Sequence, residues 1–263
     1  MIIDGRAIAQ EILAHAKARA TRLPHPPRVA AYVAEDPTPA TRSYLAIKKR
    51  SAEAAGCVFL ETSDAAEFAD ADAAIVQLPV PEANRHLLDE IPIEKDADVL
   101  SHAAREVFER GEAGALLPPV AGAVAEILSR ASVVAAGKRA VVVGTGFLVG
   151  GPVATWLARQ GTDVVVLAID STEEERSAAL RAADLIVSGA GAPHLITPDL
   201  IHDDVVLIDA GTSELGGEVV GDADPACAEV CSLFTPVPGG VGPIAVAKLF
   251  ENAVTLAERA IHT

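Results

Sequence analysis

The stretch that decides the fold runs from Arg139 to Gly150 and reads Arg-Ala-Val-Val-Val-Gly-Thr-Gly-Phe-Leu-Val-Gly. Its apolar run is typical of a strand buried on both faces, as in a parallel sheet between helix layers. The glycines that follow have the spacing G-x-G-x-x-x-G, one residue longer than the usual dinucleotide fingerprint. Glycine permits a tight turn and close approach of backbone to a pyrophosphate, and a following helix directs its N-terminus at the charge. The stretch therefore predicts a strand, a phosphate-binding turn and a helix.

The context of this turn favours a dinucleotide site. A second strand, 163–169, begins within about 20 residues and is followed by Asp170. A carboxylate there accepts hydrogen bonds from ribose hydroxyls and repels a 2′-phosphate. An ordinary strand–turn–helix connection, with Asp170 capping the next helix, explains the same residues. The candidate cofactor-binding residues are Gly144, Thr145, Gly146, Gly150, Asp170 and Gly211.

Apolar runs alternate with helical patterns along the whole chain, which predicts an α/β protein. We expect a helix from Thr41, as N-cap, to Ala55, and a mostly helical region over 82–136 that is interrupted around Gly111–Pro119. Between Glu61 and Ala74 we expect no full helix. The other expected helices are 5–22, 172–182 and 243–262, and the other expected strands are 28–34, 73–78, 139–143, 184–188 and 204–209.

Composition limits the class of protein. The chain has 263 residues, a mass of 27.1 kDa and 50% hydrophobic residues, enough for one large domain or two modest ones at roughly 150 residues per domain. Its net charge of −16 argues against binding to nucleic acid or to an anionic membrane, because such binding requires clustered Lys and Arg. An anionic ligand would need backbone N–H groups, a helix N-terminus or a single well-placed lysine.

Cysteines and targeting signals favour a cytoplasmic protein. Cys57, Cys227 and Cys231 are too few for a disulfide framework, and C-x-x-x-C is not the usual zinc spacing. We therefore expect three buried thiols in a reducing compartment and no metal site. No apolar run reaches the roughly 18 residues of a membrane span. The first residues lack the basic start of a signal peptide.

Three side chains in the first half of the chain suit acid–base chemistry. Tyr44 and Lys48 are four residues apart, so they share one face of the predicted helix. A phenol beside an ammonium group influences the pKa of the lysine. Gln77 ends an apolar strand before Pro79, where its amide can point at a ligand. A solvated face over 48–50, a packing tyrosine and a structural amide are the alternatives.

The segment Thr235-Pro-Val-Pro-Gly-Gly-Val-Gly-Pro243 has three prolines and three glycines in nine residues. Such a segment is rigid, sharply turned and poor in side-chain bulk, so a ligand can lie against its backbone. A fixed connection into the last helix is the alternative, and the two roles are compatible.

Together these segments resemble the bifunctional methylenetetrahydrofolate dehydrogenase/cyclohydrolase family, the FolD proteins, over nearly the whole chain. Thr235–Pro243 resembles the T-P-V-P-G-G-V-G-P motif and is the most specific match. Pro39–Lys48 resembles P-A-S-x-x-Y-x-x-x-K, and Val76–Pro81 resembles V-Q-L-P-L-P. Shorter matches are Asp4–Ala9 with the family's opening, Lys95–Asp98 with K-D-V-D, and Gly221-Asp222 with G-D-V.

The resemblance implies roles for matching residues. Lys48 would be the catalytic lysine, Tyr44 its neighbour over the folate ring, Gln77 the partner that orients Lys48, and Asp98 the carboxylate that holds the pterin. Pro238, Gly239 and Gly240 would contact substrate, with nicotinamide against Gly239–Gly242. The implied reactions are oxidation of 5,10-methylenetetrahydrofolate with NAD or NADP and hydrolysis of the methenyl product to 10-formyltetrahydrofolate.

Several positions depart from the family pattern. P-C-T-P is replaced by Pro118-Pro119-Val120-Ala121, and the glycine of K-D-V-D-G by Val99. The family's G-R-S after the first strand becomes Gly144-Thr145-Gly146, and its histidine-serine is lost near Ala168–Asp170. Because the lost Arg and Ser favour NADP, NAD is favoured here, although Arg176 or Arg181 can still reach a 2′-phosphate.

We therefore predict an α/β fold with two lobes and a cleft between them. Residues 1–118 form the catalytic, folate-binding lobe, completed by a returning helix at 243–263, and residues 119–242 form a Rossmann NAD(P)-binding lobe. The resemblance implies a homodimer through the Rossmann lobes. Two alternatives stay open: an NAD-dependent dehydrogenase of a different small substrate, and a folate- or nucleotide-binding module without turnover.

Overall fold

The computed structural model describes residues 1–261. Its internal contacts divide the chain into two compact units, each with its own parallel sheet. The five-stranded unit consists of Met1–Ile8 and Val120–Ala245, and the three-stranded unit of Ala9–Pro119 and the described chain from Val246 onward. The α/β class predicted from the sequence is confirmed. Over residues 1–261, no helix has both the length and the hydrophobicity required to cross a bilayer.

The sheet of the five-stranded unit has the order β10-β7-β6-β4-β5, and all its pairings are parallel. Strand β4 lies between β5, which follows it in sequence, and β6, which comes two strands later. At such a switch in strand order a crevice opens at the carboxyl ends of the strands. The elements are α5 Pro119–Arg130, β4 Arg139–Val143, α6 Gly150–Arg159, β5 Asp163–Leu167, α7 Glu173–Arg181, β6 Leu185–Ser188, β7 Val206–Asp209, the hairpin β8 Ser213–Leu215 and β9 Glu218–Val220, and β10 Leu233–Phe234.

The first residues of the chain join this unit because they extend its edge. The backbone N–H of Ile3 donates to the carbonyl of Phe234 at 2.9 Å, and the N–H of Phe234 donates to the carbonyl of Met1 at 2.8 Å. The sequence pattern carried no signal for this pairing. The lobe bounds given above stay a prediction.

The three-stranded unit has the parallel order β2-β1-β3. Its central strand is buried at four of five positions, as the apolar run predicted. Strand β2 was not predicted, because it is a half-exposed edge strand that ends in polar residues. The elements are α1 Gly5–Ala20, β1 Arg28–Tyr32, α2 Pro39–Ala54, β2 Val58–Thr62, β3 Ala73–Val76, α3 Leu87–Glu90 and α4 His102–Arg110.

The last helix, α8, spans Val241–Ile261 and belongs to the three-stranded unit from Val246 onward. The Phe250 ring meets Phe59 edge to face, with centroids 6.1 Å apart. Arg259 donates to the carbonyl of Gly114 at 2.8 Å. The predicted return of this helix to the first lobe is confirmed, and residues 262–263 of that prediction lie outside the described chain.

Two local predictions were wrong. Helix α2 begins at Pro39, not after Thr41, because the Thr38 side chain accepts the Thr41 N–H and proline suits the first helical position. The region 82–136 is not mostly α-helical, because loops and short 3₁₀ turns separate its three α-helices. Its predicted interruption around Gly111–Pro119 is present, since α4 ends at Arg110 and α5 begins at Pro119. The alternative in which Asp170 caps α7 does not hold, because Thr172 caps this helix in a capping box with Glu175. Between Glu61 and Ala74 the structure has a single 3₁₀ turn, as expected.

Candidate active site

The centre of the candidate site is Lys48, which α2 carries into the protein. Only 6% of its surface is exposed. Its Nζ lies 5.8 Å from the ring centroid of Tyr44, one helical turn earlier. Burial lowers the pKa of Lys48 because it penalises the ammonium form, and the Asp98 carboxylate partly offsets this effect. Within residues 1–261 no carboxylate forms a direct ion pair with Lys48, so the amine is buried without full charge compensation.

Asp98 and Tyr44 complete this electrostatic group. Burial raises the pKa of the Asp98 carboxyl, Lys48 lowers it and Asp96 raises it further. The pKa of the Tyr44 phenol is also raised, by desolvation and by the Asp98 charge, although 44% of the tyrosine surface is exposed. The structure therefore brings three predicted residues into mutual interaction, with an exposed aromatic surface beside a buried amine.

Gln77 contributes a polar group that the protein leaves unused. Its backbone N–H continues the sheet by donating to Tyr32 at 2.9 Å. Its side-chain Nε2 donates to the carbonyl of Leu78 at 2.6 Å, which fixes the orientation of the amide. The Oε1 atom is buried and has no hydrogen-bond partner in the described chain. An acceptor in this state is costly unless a ligand or a moving side chain supplies a donor. No hydrogen bond joins Gln77 to Lys48 within residues 1–261, so its predicted orienting role stays a prediction.

In the five-stranded unit, the turn after β4 depends on glycine. Gly144 has φ +103°, which favours glycine, and a Cβ on Gly150 would collide with the Gly144 carbonyl. Val149 provides no side-chain cap for α6. At the start of this ten-residue helix the Gly151 N–H donates to the Gly146 carbonyl at 3.1 Å and Pro152 has no N–H, so few helix donors remain for an anion. Thr145 and Gly146 lie exposed in the turn. An exposed glycine turn next to a helix N-terminus fits a pyrophosphate.

The carboxyl end of β5 is strongly acidic. Asp170 is exposed there, and the first turn of α7 adds Glu173, Glu174 and Glu175. Arg181 lies at the opposite end of α7. Arg176 directly follows the three glutamates and adds one positive charge, so the local charge stays negative and disfavours an additional phosphate next to Asp170.

The proline–glycine segment is a tight turn against the start of the chain. The N–H of Gly240 donates to the carbonyl of Pro236 at 2.7 Å, and the Val237–Pro238 peptide bond is cis. A Cβ on Gly5 would collide with the carbonyl of Gly240. Pro238 is exposed and Gly239 half-buried, so the segment presents backbone at the surface of this unit.

Comparisons with known proteins agree on one family. The tetrahydrofolate dehydrogenase/cyclohydrolase NAD(P)-binding domain matches residues 118–261. A bifunctional FolD protein of Heliobacterium modesticaldum is 35% identical, over 96% of this chain and 94% of the relative. This chain is a member of the FolD family. The FolD structure from Campylobacter jejuni has a TM-score of 0.93 at 29% identity, covering 99% of both chains. The FolD structure from Trypanosoma brucei, complexed with NADP and an inhibitor, has a TM-score of 0.91 at 30% identity, covering 100% of this chain and 99% of the other.

Two buried carboxylates in this FolD chain were not identified from the sequence as site residues. Asp222 accepts hydrogen bonds from the Ser188 hydroxyl at 2.6 Å, the Ala190 N–H at 2.7 Å and the Ala192 N–H at 2.8 Å. Asp209 accepts from the N–H groups of Gly211 at 2.9 Å and Ala223 at 2.8 Å. These bonds hold together the loops that follow β6 and β7. The signal for them was an aspartate at the end of an apolar run with a glycine within two residues, Gly211 after Asp209 and Gly221 before Asp222.

The two carboxylates also explain why two nearby positions are glycine. A Cβ on Gly211 would overlap the Asp222 carboxyl, and a Cβ on Gly221 would overlap that of Asp209. Gly211, a predicted cofactor-binding residue, thus has its N–H bound within the protein. Its direct contact with cofactor stays a prediction.

The buried Asp209 carboxyl makes the stability of the five-stranded unit depend on pH. Burial raises the pKa of its carboxyl to about 6, against the opposing effect of its two N–H donors and with a further rise from Asp222. The ordinary value is 3.8, so the folded state binds this proton more tightly than the unfolded state. The contribution of Asp209 to stability is therefore greatest at low pH and declines as the pH rises towards 6.

We expect acidification from pH 7 to pH 4 to stabilise the wild type by about 2–3 kcal/mol relative to Asp209→Asn. Urea unfolding followed by fluorescence of Trp156, the single tryptophan, reports on the five-stranded unit. Asp203→Asn, at an exposed position of the same unit, is the control and should follow the wild type. If the free energy of unfolding depends on pH in the same way for the wild type and Asp209→Asn, Asp209 does not have a raised pKa in the folded protein.

Proposed function

We propose that this chain oxidises 5,10-methylenetetrahydrofolate to the methenyl form with a nicotinamide dinucleotide and hydrolyses that product to 10-formyltetrahydrofolate. The observation that carries the proposal is the buried, incompletely compensated Lys48 beside Tyr44 and Asp98, in a chain of the FolD family. A structural lysine would gain nothing from this placement, because burying an ammonium group costs free energy that a neutral side chain avoids.

Asp98, Gln77 and Tyr44 bind the folate. The Asp98 carboxylate accepts hydrogen bonds from the pterin amino and ring N–H groups, a pairing of charge with two donors. Gln77 Oε1 supplies a further acceptor, since its amide is already fixed by Leu78. The exposed side of Tyr44 offers a flat apolar surface to the folate ring. Substrate binding thus satisfies polar groups that the protein itself leaves open.

Lys48 acts as the base of the hydrolytic step. Water adds to the carbon of the methenyl bridge, and a base must accept a proton as the ring opens. Burial lowers the pKa of Lys48 and so increases the fraction of neutral amine able to take that proton at Nζ. Asp98 keeps the pKa from falling further, and it stabilises the ammonium ion that forms.

The five-stranded unit holds the dinucleotide. The exposed backbone of the turn after β4 and the N-terminus of α6 would hold the pyrophosphate, and Asp170 would accept hydrogen bonds from the adenosine ribose hydroxyls. When bound, the oxidised nicotinamide accepts the hydride that leaves the one-carbon bridge. A backbone site of this kind needs no lysine or arginine, so a chain of net charge −16 can still bind an anionic cofactor.

We expect Lys48→Met to lower the cyclohydrolase rate by about 10²–10⁴-fold, because the base is removed, and to leave folate binding measurable by calorimetry. Lys49→Met, an exposed neighbour, is the control and should keep the wild-type rate. An unchanged rate in Lys48→Met would refute the mechanism.

A separate experiment tests the substrate. If the folded wild type reduces neither NAD nor NADP with methylenetetrahydrofolate, a different substrate or a binding module is favoured.

NAD is the preferred cofactor on this account, because Asp170 and the three glutamates in the first turn of α7 outnumber Arg176 and leave the carboxyl end of β5 negatively charged. The repulsion is felt by NADP alone, since NAD presents a neutral hydroxyl there.

We expect Asp170→Asn to raise the ratio of kcat/KM for NADP to that for NAD by about tenfold, which corresponds to about 1.4 kcal/mol. Steady-state reduction of each nucleotide with methylenetetrahydrofolate gives the ratio. Asp163→Asn, at the start of β5 and also exposed, should leave it unchanged. A wild-type preference for NADP would overturn the cofactor assignment.

We also infer a homodimer that forms through the five-stranded unit. Its edge strand β5 has one side unpaired within the described residues, with Val166 45% exposed and Ile169 87% exposed nearby. An apolar edge strand of this kind is a template for pairing with another chain.

Sedimentation velocity should give about twice the 27.1 kDa of one chain for the wild type. Val166→Lys places a charge on the edge and should shift the protein to monomer. Val134→Lys, at an apolar position that is 69% exposed in the same unit, should remain a dimer. A monomeric wild type, or dissociation by the control alone, contradicts the proposed surface.

A further inference from the structure

Asp98 lies in a turn that is fixed by a second, fully buried carboxylate. Asp96, which is 1% exposed, accepts hydrogen bonds from the backbone N–H groups of Leu100 at 2.9 Å and Ser101 at 2.8 Å. It also accepts the Ser101 hydroxyl at 2.7 Å. These bonds close the chain into a loop around Asp98. The main-chain position of Asp98 is therefore set by a neighbour that uses both carboxyl oxygens within the turn.

The same turn is held from outside by Asn252 of α8. The Asn252 side chain is buried, and its Nδ2 donates to the carbonyl of Ala97 at 3.0 Å and to the carbonyl of Leu117 at 3.0 Å. Ala97 directly precedes Asp98, and Leu117 directly precedes the Pro118–Ala121 stretch that departs from the family motif. One neutral amide thus joins two segments that depart from the family motifs, and it does so without adding charge beside Asp98.

The backbone of the turn requires such restraint. Val99 has φ +56° and is buried, although a β-branched residue rarely adopts the left-handed region. Strained conformations persist only where the surrounding structure enforces them. The turn places a valine where a glycine would adopt positive φ freely. The hydrogen bonds of Asp96 and Asn252 therefore have to hold this backbone conformation.

We propose that Asp96 and Asn252 are positioning residues that hold Asp98 in place for recognition of the pterin. The proposal rests on the folate-binding role of Asp98 given above. A turn released from either restraint lets Val99 relax to negative φ, which moves Asp98 relative to Tyr44 and Lys48. Folate binding then weakens, whereas the dinucleotide site, built by the other unit, is unaffected.

The test is a double-mutant cycle between Asn252→Leu, which keeps the approximate volume and removes both donors, and Asp98→Asn. We expect Asn252→Leu to raise KM for methylenetetrahydrofolate at least tenfold and to leave KM for NAD within about twofold of the wild type. In the Asp98→Asn background, Asn252→Leu should have little further effect on folate KM, because the group that it positions is already changed. Asp96→Asn, which keeps the shape and one acceptor oxygen, should give an intermediate folate-specific effect and serves if Asn252→Leu does not fold.

Thr255→Val is the matched control on the same helix. The Thr255 hydroxyl donates to the Glu251 carbonyl and accepts a hydrogen bond from Arg19, and both partners lie outside the 96–101 turn. It should lower the melting temperature without raising folate KM. Three results would overturn the proposal. The effects of Asn252→Leu and Asp98→Asn on folate KM could be additive, or Asn252→Leu could raise KM equally for folate and NAD. Thr255→Val could also raise folate KM as much as Asn252→Leu does. A wild type without methylenetetrahydrofolate turnover would instead overturn the proposed function and this inference with it.

Discussion

Burial of the Lys48 amino group is the constraint on which the chemistry of this FolD chain depends. An ammonium ion removed from water loses hydration free energy, and a direct carboxylate partner would restore much of it by holding the charge. Here Asp98 interacts with Lys48 without forming an ion pair, so compensation is incomplete and the pKa of Lys48 falls. A lysine in this state holds its proton less tightly than an exposed lysine, so a larger fraction of its amine is neutral and able to accept a proton.

The rest of the three-stranded unit serves this arrangement. Helix α2 places Tyr44 and Lys48 on one face. Strand β3 ends just before Gln77, whose Oε1 atom has no hydrogen-bond partner in the described chain. The 96–101 turn carries Asp98. Each of these groups leaves part of its hydrogen-bonding or electrostatic capacity unused by the protein. The site therefore carries a cost in the free enzyme that substrate binding relieves, as is common where stability has been exchanged for activity.

In the five-stranded unit the electrostatic constraint is different, because an acidic chain repels the anionic cofactor that this unit is proposed to bind. The parts of this unit suited to an anion are the exposed glycine turn after β4 and the N-terminus of α6, which has no side-chain cap. Its two buried aspartates, Asp209 and Asp222, point their oxygens at backbone N–H groups of the loops around β6 and β7. They organise these loops and so account for the glycines at 211 and 221.

Much of this could be predicted from local sequence. The apolar runs gave the parallel strands, the glycine spacing gave the turn after β4, and the four-residue spacing of Tyr44 and Lys48 gave their common face. Long-range features could not be predicted, because no local pattern encodes them. The pairing of Ile3 with Phe234, the reach of Asn252 to Ala97 and Leu117, and the half-exposed strand β2 all depend on tertiary packing. The cap of α2 was placed at Thr41 rather than Thr38, because the extended backbone of Thr38 before Pro39 is visible only in the structure.

The pKa of Lys48 in the free enzyme tests the central claim most directly. Lysine labelled with ¹³C at Cε can be titrated by NMR, with Lys48→Met assigning the signal and exposed Lys49 as the internal reference. The account predicts that Lys48 titrates at lower pH than Lys49, because burial disfavours its charged form. A Lys48 that titrates together with Lys49, or at higher pH, would contradict the assignment of this residue as the base.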